Sequence, residues 1–241
     1  MTKQPEDSLI SHLEALRLML IKCLSALAIG LLPMFLLAPY VINALISVIL
    51  RGTPLTLNFF APLEVFVLQI KTALLLDILI CFPYMAKQVW NFVLPALYDK
   101  ERNFIKSIVL SSSALFIIGV LFCLFVILPF VIRFGLSFAG ADIHAVFGIN
   151  NVISLALWLS LIFGVVFQFP LLAFALIRAE IVDYNTIKSK RSYIFIGILI
   201  ISAVLTPPDI ISQLLLTLPT YALFEIGLFL AHRQKSESPE E

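Results

Sequence analysis

Between Lys106 and Arg133 the chain runs without a single charged residue. A bilayer core about 30 Å thick is crossed by roughly 20 residues of apolar helix, so this one stretch is long enough to span it. Comparable apolar stretches recur at 18–38, 63–85, 152–177, 192–205 and 210–231, and the third is bounded at 107–132. With 61% hydrophobic and 13% charged residues and a mean hydropathy of +1.06, the 241 residues hold too little polar surface to coat a soluble domain. The expectation is an all-α integral membrane protein with six transmembrane helices.

The last two spans should be short. The stretch 192–205 would reach only about 21 Å at 1.5 Å per residue, so it must thin the bilayer or lean on neighbours. The first span is expected to end near Pro39. Thr206-Pro207-Pro208-Asp209 separates the last two stretches and reads as a turn, because consecutive prolines remove two amide donors and push the preceding residue out of helical geometry. The alternative is that these two stretches form one re-entrant hairpin, which leaves both ends on the same side. Residues 1–233 read as one transmembrane domain without internal repeat, and 234–241 as a disordered polar tail. The polar start, Met1 to Asp7, lacks a signal-peptide pattern, so the first apolar stretch should remain in the mature protein.

Basic residues set the orientation. Lys87, Lys100, Arg102, Lys106, Arg178, Lys188, Lys190 and Arg191 lie in loops on one side, with Lys3, Arg17, Lys22, Arg233 and Lys235 at the termini. The other side holds Arg51 and Arg133. By the positive-inside rule both termini are cytoplasmic. Trp90, Tyr98 and Tyr193, near span ends, fit anchoring at the membrane interface.

Several function classes lose support. A formal charge of +1 without a basic, aromatic-interleaved patch argues against nucleic acid. Cys23, Cys81 and Cys123 lie in apolar runs without CxxC or Cys/His spacing, and His12, His144 and His232 are scattered, so neither disulfide, metal nor cofactor is indicated. Ser111-Ser112-Ser113 has no His or Lys partner at a recognisable spacing, and no Gly-rich phosphate loop is present, which argues against an enzyme.

Ionisable groups inside spans carry more information. Lys71 and Asp77 fall in the second span and Glu225 in the sixth, where an unpaired charge costs at least a few kcal/mol. Glu64 and Lys71 share a helix face two turns apart, too far for a direct bond, and Lys71 and Asp77 point to different faces. Their partners must come from other helices or from water. One reading is internal bridging between helices; the other is a polar patch for docking.

A series of motifs, in order along nearly the whole chain, resembles the TatC family. It comprises Ser11-His12-Leu13-Glu14-Ala15-Leu16-Arg17, Pro62-Leu63-Glu64-Val65-Phe66 with Ile70-Lys71, Pro83, Gln88-Val89-Trp90, and Pro95-Ala96-Leu97-Tyr98-Asp99-Lys100-Glu101-Arg102. Leu115-Phe116 with Gly119, Leu128-Pro129, Phe163-Gly164 with Phe167-Gln168-Phe169-Pro170, Leu205-Thr206-Pro207-Pro208-Asp209 and Phe224-Glu225-Ile226-Gly227 complete it. The resemblance implies a receptor for twin-arginine signal peptides of folded cargo in the bacterial inner membrane. It further implies assembly with the single-span subunits TatA and TatB and with other TatC copies, and dependence on the proton-motive force. Glu101, Glu14 and Arg17 are the implied signal-peptide contacts. Gln168, Glu225, Pro207, Pro208 and Asp209 are the implied docking or intramembrane polar positions, and Glu64 and Lys71 the structural polar pair.

Three positions depart from the family pattern. Ala15 stands where the opening motif usually has glutamate, with Glu14 one residue earlier; Gln168 stands where many relatives carry glutamate; Val48 replaces a frequent proline. The competing function is a small-solute or ion secondary transporter, motivated by the intramembrane charges and proline-interrupted spans. An intramembrane hydrolase ranks third.

Overall fold

The computed structural model describes residues 5–50, 57–93, 102–137, 146–178, 182, 184–205 and 210–237. Contacts divide the chain into two units. The first contains Met1–Val48, Phe59–Ser113 and Ile149–Leu157; the second contains Ile49–Asn58, Ala114–Gly148 and Trp158–Glu241.

In the first unit, α1 (Pro5–Ile49) runs through Pro33 and Pro39, and α2 (Glu64–Val93) runs through Pro83. The expected end of the first span near Pro39 is therefore corrected. A proline removes one main-chain donor, but a transmembrane helix survives that loss when a neighbour supplies a replacement. α1 carries no fully buried residue from 13 to 37, and then buries Ala38, Ile42 and Leu45, at the spacing of one helix face. Trp90, expected as an interfacial anchor, is instead buried.

The third span is one helical path with a local irregularity. α3 (Arg102–Phe122) passes through a π turn (Cys123–Ile127) into α4 (Leu128–Ser137), and the Leu128 amide reaches back five residues to the Cys123 carbonyl. Pro129 follows at once. Its ring would collide with a carbonyl of the preceding turn, and the widened π turn makes room.

The fourth span, expected as one helix, is broken. α5 (Ile149–Val166) ends at Phe167-Gln168, and α6 (Phe169–Arg178) begins again around Pro170. Just before α5, β2 (Phe147–Gly148) pairs in parallel with β1 (Leu57–Asn58). Hydropathy and spacing mark neither the π turn nor the strand pair, and they present the fourth span as continuous.

α7 (Tyr184–Ser189), α8 (Arg191–Leu205) and α9 (Ile210–Glu237) complete the second unit. α9 continues through residues 234–237, the start of the segment read as an unstructured tail. The Thr206 to Asp209 turn lies outside the described residues. Ala173 and Ile177 of α6 meet Phe224 and Leu228 of α9 in a core also packed by Tyr184, Ile187 and Ile194. Each pair is spaced by four residues, so each helix presents one face.

Four helical segments, Leu13–Ile49, Glu64–Phe92, Lys106–Ser137 and Ile149–Ile177, are long and apolar enough to cross a membrane. Arg191–Val204 and Gln213–Phe229 are shorter apolar helices, as expected for the last two spans.

Candidate functional site

At the start of α2, Glu64 folds back on the chain that precedes it. Its carboxylate accepts the Phe60 amide at 2.6 Å and the Ala61 amide at 3.2 Å, and the Asn150 main-chain amide bonds it as well. A carboxylate at a helix N-terminus is favoured both by the dipole and by these charge-assisted bonds. Lys71 Nζ donates to Asn150 Oδ1 at 3.3 Å, and the Ser154 hydroxyl donates to the same oxygen at 3.2 Å. Glu64 and Lys71 thus share Asn150, through its main chain and its side chain respectively. The sequence left the partner open between another helix and water. Asn150 carries no signal of its own in the sequence, because the pair Asn150-Asn151 ahead of an apolar run looks like any span boundary.

Deeper in α2, Asp77 is almost fully buried and accepts a bond from the Cys81 thiol at 3.4 Å. Gly30 of α1 lies against it: a Cβ there would collide with Asp77 Oδ1 and stand 3.0 Å from its Cγ. Asp77 therefore occupies a notch that only glycine leaves open.

In the second unit, Gln168 occupies the break between α5 and α6. Its amide nitrogen bonds the Val165 carbonyl at 2.9 Å, three residues back, instead of the Gly164 carbonyl four back. The side chain supplies what the main chain withdraws, because Gln168 Nε2 donates to the Gly164 carbonyl at 3.3 Å. Phe167 leans on Phe122, with ring centroids 5.7 Å apart. Gly164 admits the Phe116 ring, and Gly119 admits Phe167.

Glu225 of α9 faces α8. Arg191 Nη2 lies 2.9 Å from Glu225 Oε2, and the Tyr221 hydroxyl donates to Oε1 at 2.8 Å. Phe195 meets the Tyr221 ring edge-on at 5.2 Å. Gly227, two residues on and about 200° around the helix, faces Pro170 instead. Arg191 entered the sequence reading as a topology signal alone, and nothing in the sequence pairs it with a residue thirty-four positions later.

Glu14 and Arg17 are exposed on α1, three residues apart and so neighbours on its surface. Glu101, Pro207, Pro208 and Asp209 lie outside the described residues. Among the described residues no cluster of His, Cys, Asp and Glu could hold a metal ion.

The sequence matches the family described as Sec-independent protein translocase protein (TatC) over residues 11–219. The Sec-independent protein translocase protein TatC of Carboxydothermus hydrogenoformans is 33% identical over 93% of this chain and 92% of its own length. That of Escherichia coli strain K12 is 31% identical over 95% and 90% respectively. A crystal structure described as the twin arginine translocase receptor TatC in DDM superposes with a TM-score of 0.83 and 31% identity, covering 91% of this chain and 99% of that one. Family, order of motifs and fold agree along the length of the molecule: the chain belongs to the TatC family of Sec-independent protein translocases and is a multi-pass membrane protein of twin-arginine protein transport.

Proposed function

We propose that this chain is the cargo-recognising core of its translocase. As a single membrane domain over 1–233, with both termini in the cytoplasm of a bacterial cell, it binds twin-arginine signal peptides of folded cargo. It assembles with TatA, TatB and further TatC copies, and cargo movement draws on the proton-motive force. The observation that supports this reading most strongly is the likeness, over nine-tenths of the chain, to a protein described as a twin arginine translocase receptor. The role is one of recognition and scaffolding, without a covalent step.

Glu101 is the proposed principal contact, with Glu14 and Arg17 beside it in function. Two adjacent arginines bring ten donors into a small volume, and a carboxylate engages a guanidinium in fork geometry. Lys100, Arg102 and Lys106 surround Glu101 in sequence and repel a generically cationic peptide. Binding then depends on close carboxylate contact, which lysines make less well. An exposed pair contributes only about 1 kcal/mol or less, so apolar contacts to the peptide's hydrophobic segment must add to it. Gln168 is the proposed docking point for a polar side chain of a partner helix. Pro207, Pro208 and Asp209 are proposed to shape the adjoining turn.

Photocrosslinking of a twin-arginine peptide to the protein in native membranes tests the reading. Glu101→Gln should reduce crosslinking at normal protein levels, and Glu101→Asp should be milder than Glu101→Ala. Undiminished crosslinking to the Glu101→Ala protein would overturn the assignment of the site. Solute flux through the purified protein alone, without peptide binding, would instead favour a transporter.

A further inference from the structure

In a regular α-helix the amide of residue 39 bonds the carbonyl of residue 35. Residue 39 of α1 is proline, which has no amide hydrogen, so the Phe35 carbonyl loses its usual donor. Water would satisfy such a carbonyl in a soluble protein. Within a packed, apolar span another part of the chain can supply the donor instead.

Gln69 of α2 stands at this point. Its Nε2 lies 3.3 Å from the Phe35 carbonyl oxygen, a contact between residues thirty-four positions apart on two different helices. Three residues before Gln69, on the same face of α2, the Phe66 ring meets the Phe35 ring edge-on, with centroids 6.5 Å apart and planes at 76°. Ala38, next to the proline, is fully buried. The contact is thus accompanied by a ring pair between the same two helices and by a buried residue three positions along α1.

We propose that Gln69 is a positioning residue that holds α1 against α2 at Pro39, by supplying from α2 the donor that the proline lacks. The residue type suits the task. A primary amide donates without carrying charge, whereas an ionised glutamate only accepts and would repel the carbonyl, and a lysine would bring a charge into the span. Burial along α1 changes at the proline. Residues 13–37 include none that is fully buried, whereas from Ala38 onward Ala38, Ile42 and Leu45 are buried at the spacing of one face. Gln69 therefore ties α1 to α2 one turn before the proline, where the Phe35 and Phe66 rings also meet. This goes beyond the receptor reading and does not depend on it. Gln168, bonding the Gly164 carbonyl beside Pro170, applies the same chemistry within one span.

A double-mutant cycle on the full-length protein in lipid vesicles tests the proposal through reversible unfolding. Gln69→Leu should lower the folding equilibrium constant about threefold to twentyfold, the range measured for hydrogen bonds between transmembrane helices. In a Pro39→Ala background the main-chain donor returns, and the same Gln69→Leu change should have no further effect. An equal loss in both backgrounds overturns the proposal. If Gln69→Leu does not accumulate in the membrane, its level is the readout instead. Recovery on adding Pro39→Ala supports the assignment, and failure to recover, while Pro39→Ala alone is well folded, overturns it.

Discussion

Arg191 and Glu225 are joined at 2.9 Å, so the first residue of α8 is ion-paired to a carboxylate midway along α9. The pair is partly accessible, with side-chain exposures of 37% and 30%, which limits its strength relative to a fully buried bridge. Glu225→Leu should lower stability by about 1–2 kcal/mol, chiefly because Arg191 loses its counter-charge. Replacing both residues by leucine should recover part of that loss. Tyr221→Phe, which removes one bond and keeps the ring against Phe195, should lower stability by about 1 kcal/mol. Thermal unfolding in detergent ranks the variants. Additive losses in the double variant would mean that the two side chains do not act as a pair.

Gln168 bonds the Gly164 carbonyl and is also the proposed docking point, and substitution can separate the two. Gln168→Leu removes the donor to the Gly164 carbonyl and any docking contact, so both stability and copurification of TatA and TatB should fall. Gln168→Glu can donate to the carbonyl only while protonated. Its stability should therefore be higher at acidic than at neutral pH, with a difference that the native chain does not show at this position. A pH-independent Gln168→Glu protein would argue against the carbonyl contact. Unchanged copurification with Gln168→Leu would argue against docking.

The glycines divide into those that admit a neighbour and those that do not. A Cβ at Gly227 would stand 2.6 Å from the Pro170 carbonyl oxygen and 2.8 Å from its Cα, main-chain atoms that cannot rotate aside. Gly227→Ala should destabilise the α6–α9 contact by about 1–3 kcal/mol. Gly135 and Gly197 have nothing within 4 Å of the same position, and both lie inside helices. Alanine there should be neutral or stabilising by up to about 1 kcal/mol. Detergent melts of the three variants give the order directly.

The proposed membrane sidedness rests on the distribution of Lys and Arg. Cysteines at Lys100, Lys188 and Arg233 should be shielded from an impermeant thiol reagent in intact cells, and one at Asp142 should react. Labelling at position 188 from outside would exclude the proposed orientation.

Hydropathy located every span, because six separated apolar stretches have few ways to avoid water. Charge asymmetry supplied an orientation, and the ordered motifs supplied the family. Irregularities within spans were less legible. Pro39 reads as a helix end in sequence, since the rule that proline stops a helix assumes that no other group serves the orphaned carbonyl. Gln69 serves it from α2, and the helix continues. Likewise Pro170 signals trouble in the fourth span, but only the fold shows the Gln168 amide shifted to Val165 and its side chain turned to Gly164.

The sequence by itself determined that the chain lives in a membrane, how many times it can cross, and which charges lie where charge is expensive. Those properties depend on local composition and on helix rise, both readable residue by residue. Tertiary structure alone decided the partners: Asn150 for Glu64 and Lys71, Arg191 for Glu225, and Gly30 as the notch for Asp77. In hydrocarbon a buried polar group must find a complement, yet composition does not say which helix provides it. That choice depends on which faces meet and at what depth, a relation between distant parts of the chain that exists only once the helices have packed.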